Sequence, residues 1–118
     1  MERPKEFDNE RKDCTVVALT IASYLPYAEV HEAFRKCGRK EKHGFHIRGN
    51  IHRICKLLNL EAKQVKRSGS LGKFVKDHPI GDYICHKRGH AFAVSEGAVY
   101  EERNMGCHIK GAWLIQKR

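Results

Sequence analysis

The sequence predicts a single α+β domain in which helices from the first half of the chain pack on one face of an antiparallel sheet from the second half. Apolar residues recur at helical spacing as far as Val75. From Ile80 onward they fall in short segments that are rich in aromatic and β-branched residues. Helices followed by strands are typical of α+β domains. The 118 residues suffice for one core, so residues 1–118 form one domain.

The first predicted helix is the most distinctive element of the chain. Asp13 is a residue type that caps helix starts, and the following segment "CTVVALTIASY" at 14–24 is apolar on nearly every side. A helix that is apolar all round is covered by neighbours on all sides. We therefore expect this helix to run through the middle of the domain.

The remaining elements of the first half are shorter or more polar. Apolar residues at helical spacing predict an amphipathic second helix between Pro26 and Gly38, and the charged segment 38–50, which has two further glycines, predicts a long loop. Three elements follow: a helix at 51–58, a short strand at 61–66 and a brief helix capped by Ser70. Four strands are then predicted in "IGDYICH", "HAFAVS", "AVYEE" and "AWLIQ".

The composition indicates which partners and which cellular compartment to expect. The chain has 23 basic and 14 acidic residues and a net charge of +9, which favours anionic partners such as nucleic acid. The basic residues lie in short clusters at 35–42, 63–67, 86–88 and 116–118, most of which we expect to be solvated surface. No apolar run approaches the roughly 20 residues of a membrane span, and the start lacks the apolar core of a signal peptide. We expect a cytoplasmic protein without membrane contact, whose five cysteines stay reduced.

Cys14 and His90 form the candidate catalytic pair. The unpaired N–H groups of a helix's first turn stabilise a thiolate, and Cys14 stands at such a start. A thiol nucleophile needs a base from elsewhere in the fold, and His90 begins a strand directly after Gly89. The alternatives are that Cys14 is a small buried hydrophobic residue and that His90 is a structural histidine.

The order of "DC" with an apolar helix and, much later, "GHAFAVSEGAVYE" resembles the papain-like cysteine peptidase superfamily. The resemblance is to its small bacterial and phage members and to the bacteriocin leader peptidases. The segments "LPYAEVHEAFRKCGRK" and "FVKDHPIGDYICHKRGHAFAV" also resemble phage-encoded domains of this type. The resemblance implies a papain-like fold in which Cys14 is the nucleophile that attacks a peptide or protein substrate, and His90 is the general base and acid. It implies no metal and no organic cofactor, and location in the host cytoplasm if the protein is phage-encoded.

A third residue would orient the His90 ring. Because Glu96 does not favour positive φ, a three-residue loop at 95–97 is expected, and its register places Glu102 opposite His90 with Asn104 diagonal to it. A slip of one residue would bring Glu101 and Arg103 to that face instead. An amide commonly fills this role in papain-like sites, so the resemblance favours Asn104, with Glu101 and Glu102 as alternatives.

An oxyanion hole requires donors at the developing negative charge. The backbone N–H of Cys14 at the helix start is one natural donor. Papain-like enzymes add a side-chain amide upstream, and Asn9 is the single amide in the lead-in. The alternative is that Asn9 is a turn residue within "FDNER".

Three other functions compete with cysteine hydrolysis. A zinc site would use residues of "CHKRGH" and the later "CH", but the paired ligand spacing of structural zinc sites is absent. A papain-like domain without activity could bind a host macromolecule. A basic nucleic-acid binder could stack bases on Tyr24, Tyr27, Phe45 and Trp113, although their periodic placement favours packing.

Overall fold

The computed structural model describes residues 1–66 and 69–118, so Arg67 of the basic cluster at 63–67 lies outside the described residues. After a short 3₁₀ turn at Lys5–Phe7, that part of the chain contains four α-helices and five strands. The elements are α1 Cys14–Ser23, α2 Tyr27–Lys36, α3 Ile51–Leu57, β1 Leu60–Gln64, α4 Leu71–Asp77, β2 Asp82–Lys87, β3 His90–Ser95, β4 Ala98–Tyr100 and β5 Gly111–Lys117. The predicted α+β class is confirmed. Within the described ranges, no helix combines the length and the apolar character that crossing a bilayer requires.

The five strands form one antiparallel sheet in the order β1-β5-β2-β3-β4. Strand β1 lies between helices α3 and α4 in the chain and pairs with the last strand, with Leu60 opposite Lys117. The sheet therefore combines this strand with β2 through β5, which follow the helices as predicted.

Both faces of the sheet are covered, which corrects the expectation that all helices lie on one face. Ile84 and Trp113 pack with α1, α2 and α3 on one face, whereas Cys85 and Phe92 pack with α4 on the other. The central strands are apolar at consecutive positions, so each of their faces needs a partner layer. Helix α4 and the segment around Ile109 provide the second layer.

Helix α1 is the buried central helix that its sequence predicts. Eight of its 10 residues are buried, and the helix packs against α2 and against strands β2, β3 and β5. Because it lies across the sheet in this way, its first residue, Cys14, reaches the start of β3.

The β3–β4 hairpin differs from the prediction. Ser95 pairs with Ala98, so the loop contains two residues, Glu96 and Gly97, with φ of 49° and 79°. The predicted three-residue loop is wrong because Glu96 adopts the left-handed conformation after all. Its N–H donates to the Gly81 carbonyl over 2.9 Å, and its carboxylate accepts from the Gly81 N–H over 3.3 Å. These contacts offset the cost of about 1 kcal/mol of that conformation.

A buried ionic cluster ties the polar lead-in to the loop that follows α2. The Glu10 carboxylate accepts hydrogen bonds from Arg39, from His31 Nε2 over 2.6 Å and from the Lys42 N–H over 2.6 Å. Burial raises the pKa of Glu10, but these hydrogen bonds outweigh it and hold the pKa far below its usual value. Arg39 belongs to the basic cluster at 35–42 that was expected on the surface, yet it is buried.

Candidate active site

Cys14 is the first residue of α1, and the residue before it does not cap the helix in the expected way. The Asp13 side chain makes no capping hydrogen bond; instead it accepts two from Arg3, each of 2.7 Å, and one from the Tyr27 hydroxyl of 2.6 Å. Burial raises the pKa of Asp13, but Arg3 and Tyr27 outweigh it and lower the pKa. The carboxylate is thus held away from the first-turn N–H groups of α1, which stay available to another acceptor.

The Cys14 sulfur lies against the start of β3. The backbone N–H of Ala91 donates to it over 3.5 Å. The half-buried thiol also lines an open pocket of about 370 Å³, whose wall includes Lys12, Val17 and Glu101. The sulfur is therefore accessible from this pocket at the point where α1 meets β3.

The His90 ring is held by main chain on the neighbouring segment. Its Nε2 donates to the Glu101 carbonyl over 2.7 Å, and the ring stacks on Phe92 with centroids 5.9 Å apart. A carbonyl oxygen only accepts, so the neutral ring carries its proton on Nε2 and presents an unprotonated Nδ1. The side chain is 30% exposed. Although His90 is adjacent in sequence to Ala91, no hydrogen bond joins its ring to the Cys14 sulfur in the part of the chain that the structure describes.

The two glutamates predicted as alternative orienting residues both lie beside the His90 ring. Glu101 does so through its carbonyl, and a Glu102 carboxylate oxygen lies 3.8 Å from Nε2. Glu102 also forms an ion pair with Lys87 over 2.8 Å, and this contact lowers the pKa of its carboxyl group.

Asn104, the favoured orienting residue, is directed elsewhere. Its side-chain oxygen accepts from the Gly106 N–H over 3.0 Å, and its own N–H donates to Glu102 over 3.0 Å. Strand β4 ends at Tyr100 and Glu101 has φ of 68°, so the extrapolated register that placed Asn104 near His90 does not continue. The contact that holds His90 is a main-chain carbonyl, which residue identities do not reveal.

The two predicted oxyanion donors are separated. The Cys14 N–H stands at the helix start, but Asn9 is exposed and lines a different pocket, together with Phe7, Glu10 and Lys42. The Glu10 N–H donates to the Phe7 carbonyl over 2.9 Å, so Asn9 lies within a turn. This geometry matches the alternative role that the sequence offered for Asn9.

The five thiols are free and differ in their surroundings. Burial raises the pKa of both Cys55 and Cys85 to about 12. Burial also raises the pKa of Cys107, whereas Cys37 is half-buried at the end of α2. Cys14 differs from these in standing at a helix start, where it lines an open pocket.

Within residues 1–66 and 69–118, no group of three or more His, Cys, Asp or Glu side chains is arranged to hold a metal ion. Residues of the two motifs that suggested zinc have other neighbours. Cys85 packs beneath α4, and His86 pairs across the sheet with Ala91 and Gly111.

No protein-family model matches this chain, and neither the curated proteins nor the solved structures contain a match to it. Its function must therefore be inferred from the geometry of its own residues, above all from the corner at which α1, β3 and the segment after β4 meet.

Proposed function

We propose that the protein is a papain-like cysteine hydrolase that acts on a peptide, isopeptide or related amide bond. The contact between the Cys14 sulfur and the Ala91 N–H carries this proposal. It brings a helix-start thiol to the strand that begins with His90, the one imidazole whose Nε2 is fixed by the neighbouring Glu101 carbonyl.

The proposed reaction has two stages. In the first, His90 Nδ1 takes the thiol proton and the sulfur of Cys14 attacks the carbonyl carbon of the substrate. The carbon–nitrogen bond then breaks, and the amine leaves with the proton that His90 returns. In the second, His90 activates a water molecule that cleaves the thioester and restores the thiol. An amine in place of water would give transfer by the same residues.

Two features of the site support this chemistry. Because Asp13 is bound by Arg3 and Tyr27, the first-turn N–H groups of α1, including that of Cys14, are not capped by its side chain and suit a developing oxyanion. The Glu102 carboxylate, 3.8 Å from His90 Nε2, favours the imidazolium that forms during the reaction.

The test is covalent trapping from a mixture of synthetic peptides. The protein is quenched in acid after short incubation, and intact mass spectrometry measures acyl adducts at Cys14 while the supernatant is examined for cleaved peptides. We expect both signals in the wild type and neither signal in Cys14→Ala. Every variant that cleaves a peptide should also form the adduct. His90→Gln should reduce both signals, and cleavage that survives in Cys14→Ala would contradict the proposal.

A second candidate is a papain-like domain that binds a macromolecule without catalysis. The observation that favours it is that the Cys14 sulfur is hydrogen-bonded to the Ala91 N–H rather than to the His90 ring. The same experiment separates the two candidates, because a binding domain gives neither adduct nor cleavage with any peptide.

A further inference from the structure

A second pocket opens at the same end of the sheet, on the other side of β2 from Cys14. It has a volume of about 440 Å³ and is lined by Arg48 from the long loop, Gln64 and Lys66 after β1, and Lys110 and Gly111 at the start of β5. Val65 completes the lining, so the pocket has three cationic side chains and no carboxylate.

The position of the Arg48 guanidinium is fixed by the main chain beneath it. One of its nitrogens, Nη2, donates to the Lys110 carbonyl over 2.8 Å. A Cβ atom at Gly111 would lie 3.2 Å from that nitrogen and 3.0 Å from the Trp113 ring, so the missing side chain at 111 leaves room for both. The guanidinium therefore lies on the strand, and a guanidinium has four further N–H groups with which it can bind a ligand.

Arg48 and Lys66 bring positive charge to this pocket. In the described part of the chain, neither of them forms an ion pair with a carboxylate. The nearby His86 responds to this charge: burial lowers its pKa, and Arg48 and Lys110 lower it further. His86 Nδ1 is in addition a buried atom that has no hydrogen-bond partner among the described residues.

The sheet register connects this pocket to the thiol. Gly111 pairs with His86, His86 pairs with Ala91, and the Ala91 N–H contacts the Cys14 sulfur on the side away from β2. These residues share the face on which α1 packs, since Ala91 and Trp113 belong to that core. With strands about 4.8 Å apart, the pocket lies roughly 10–15 Å from the sulfur, which an extended peptide spans in about three or four residues.

We propose that this pocket binds an acidic side chain of the peptide substrate, about three or four residues from the bond that Cys14 attacks, and that Arg48 is the main binding residue. The proposal deepens the proposed function and rests on it for the identity of the substrate. An acidic peptide fits better than single-stranded nucleic acid, because bases need exposed aromatic platforms. The exposed Tyr24 and Tyr100 lie elsewhere, near the opposite end of β2 and on the far edge strand.

The first test measures binding without chemistry. Fluorescence anisotropy with a labelled octapeptide containing two glutamates is compared with its glutamine counterpart, in protein carrying Cys14→Ser. Adding Arg48→Gln and Lys66→Gln should weaken binding of the acidic peptide about tenfold. The charge-matched control, Lys40→Gln with Lys56→Gln on exposed sites away from the pocket, should change it less than about twofold. Equal losses in the two pairs, or no preference for glutamate over glutamine, would overturn the proposal.

Binding of an oligonucleotide distinguishes an acidic peptide from nucleic acid as the partner of this pocket. If a thymidine oligonucleotide binds through Arg48 and Lys66 while the acidic peptide is insensitive to their loss, the pocket is a phosphate site and the proposal is wrong. We expect instead that the oligonucleotide loses affinity equally in the pocket and control pairs.

The second test uses the active protein and a peptide library. Cleaved peptides should be enriched in Asp or Glu about three or four positions from the broken bond, and Arg48→Gln should abolish this enrichment. Cleavage without such enrichment contradicts the acidic subsite alone. Acidic-peptide binding at Arg48 without any cleavage contradicts the proposed hydrolase and leaves the binding site standing.

Discussion

The Ala91 N–H donates to the Cys14 sulfur over 3.5 Å, which joins the first residue of the buried helix to the second residue of β3. Because His90 directly precedes Ala91, the same contact also fixes the position of the His90 backbone relative to the thiol. The Glu101 carbonyl then determines which ring nitrogen carries the proton. Main-chain groups therefore position the thiol and the imidazole more than a third side chain does.

The role of the Glu102 carboxylate beside the His90 ring can be tested with a pair of variants. Glu102→Gln should slow alkylation of Cys14 about fivefold, because a carboxylate about 4 Å from an imidazolium contributes about 1 kcal/mol when water screens the pair. Asn104→Ala should leave the rate unchanged, because its side chain is bonded to Gly106 rather than to His90. Rates are measured by mass spectrometry with iodoacetamide. A large effect of Asn104→Ala with none from Glu102→Gln would reverse this assignment.

The buried cluster around Glu10 should dominate the stability of the lead-in and long loop. Glu10→Gln removes the charge that pairs with Arg39 and His31, and we expect a loss of about 3 kcal/mol in the free energy of unfolding. The control Glu32→Gln breaks an exposed pair with Arg35 and should cost less than about 0.5 kcal/mol. Urea unfolding followed by circular dichroism gives both values, and equal losses would show that the cluster contributes little.

The same carboxylate predicts how stability depends on pH. Its pKa in the folded protein lies far below its usual value of 4.5, so its contribution is present above that value and is lost as the pH falls below it. The pKa of Asp13 is shifted in the same direction. The free energy of unfolding should therefore decrease from about pH 5 to about pH 2, less steeply in Glu10→Gln. A wild-type stability that is flat over this range would contradict the assignment.

The hairpin loop offers a stabilising substitution. Glu96 has φ of 49° before Gly97, and asparagine is favoured at the first position of such two-residue loops. Glu96→Asn should raise the free energy of unfolding by about 0.5 kcal/mol. Asparagine adopts the left-handed conformation at lower cost than glutamate, and loss of the carboxylate contact with the Gly81 N–H offsets part of this gain. Thermal unfolding measures the change. Destabilisation by more than about 1 kcal/mol would mean that the carboxylate contact outweighs the backbone preference.

Local patterns were sufficient to predict most of the fold. The all-apolar segment after Asp13 predicted a buried helix, Ser70 predicted a cap, and its hydroxyl accepts from the Lys73 N–H over 3.2 Å. The second apolar layer was missed because a strand that is apolar on both faces does not indicate which helix covers which face. The buried Arg39 was missed because its partner Glu10 lies 29 residues away in the chain.

The candidate site was predictable in part. Cys14 and His90 each begin an element whose start could be identified, and the structure places both starts at one corner of the sheet. The register beyond the hairpin was not predictable, because it depends on Gly81 stabilising the left-handed conformation of Glu96. The observed register differs from the predicted one by one residue, and β4 ends early. As a result the Glu101 carbonyl, and not Asn104, contacts the His90 ring.

Competitive thiol labelling tests the central claim most directly, because Cys14 and Cys37 are both half-buried and only Cys14 lies at a helix start beside β3. Substoichiometric iodoacetamide at mildly acidic pH, followed by peptide mapping, should label Cys14 well before Cys37. His90→Ala should slow labelling of Cys14 about tenfold and leave Cys37 unchanged. Labelling of the two thiols at equal rates, with no response to His90→Ala, would contradict the assignment of Cys14 as a nucleophile served by His90.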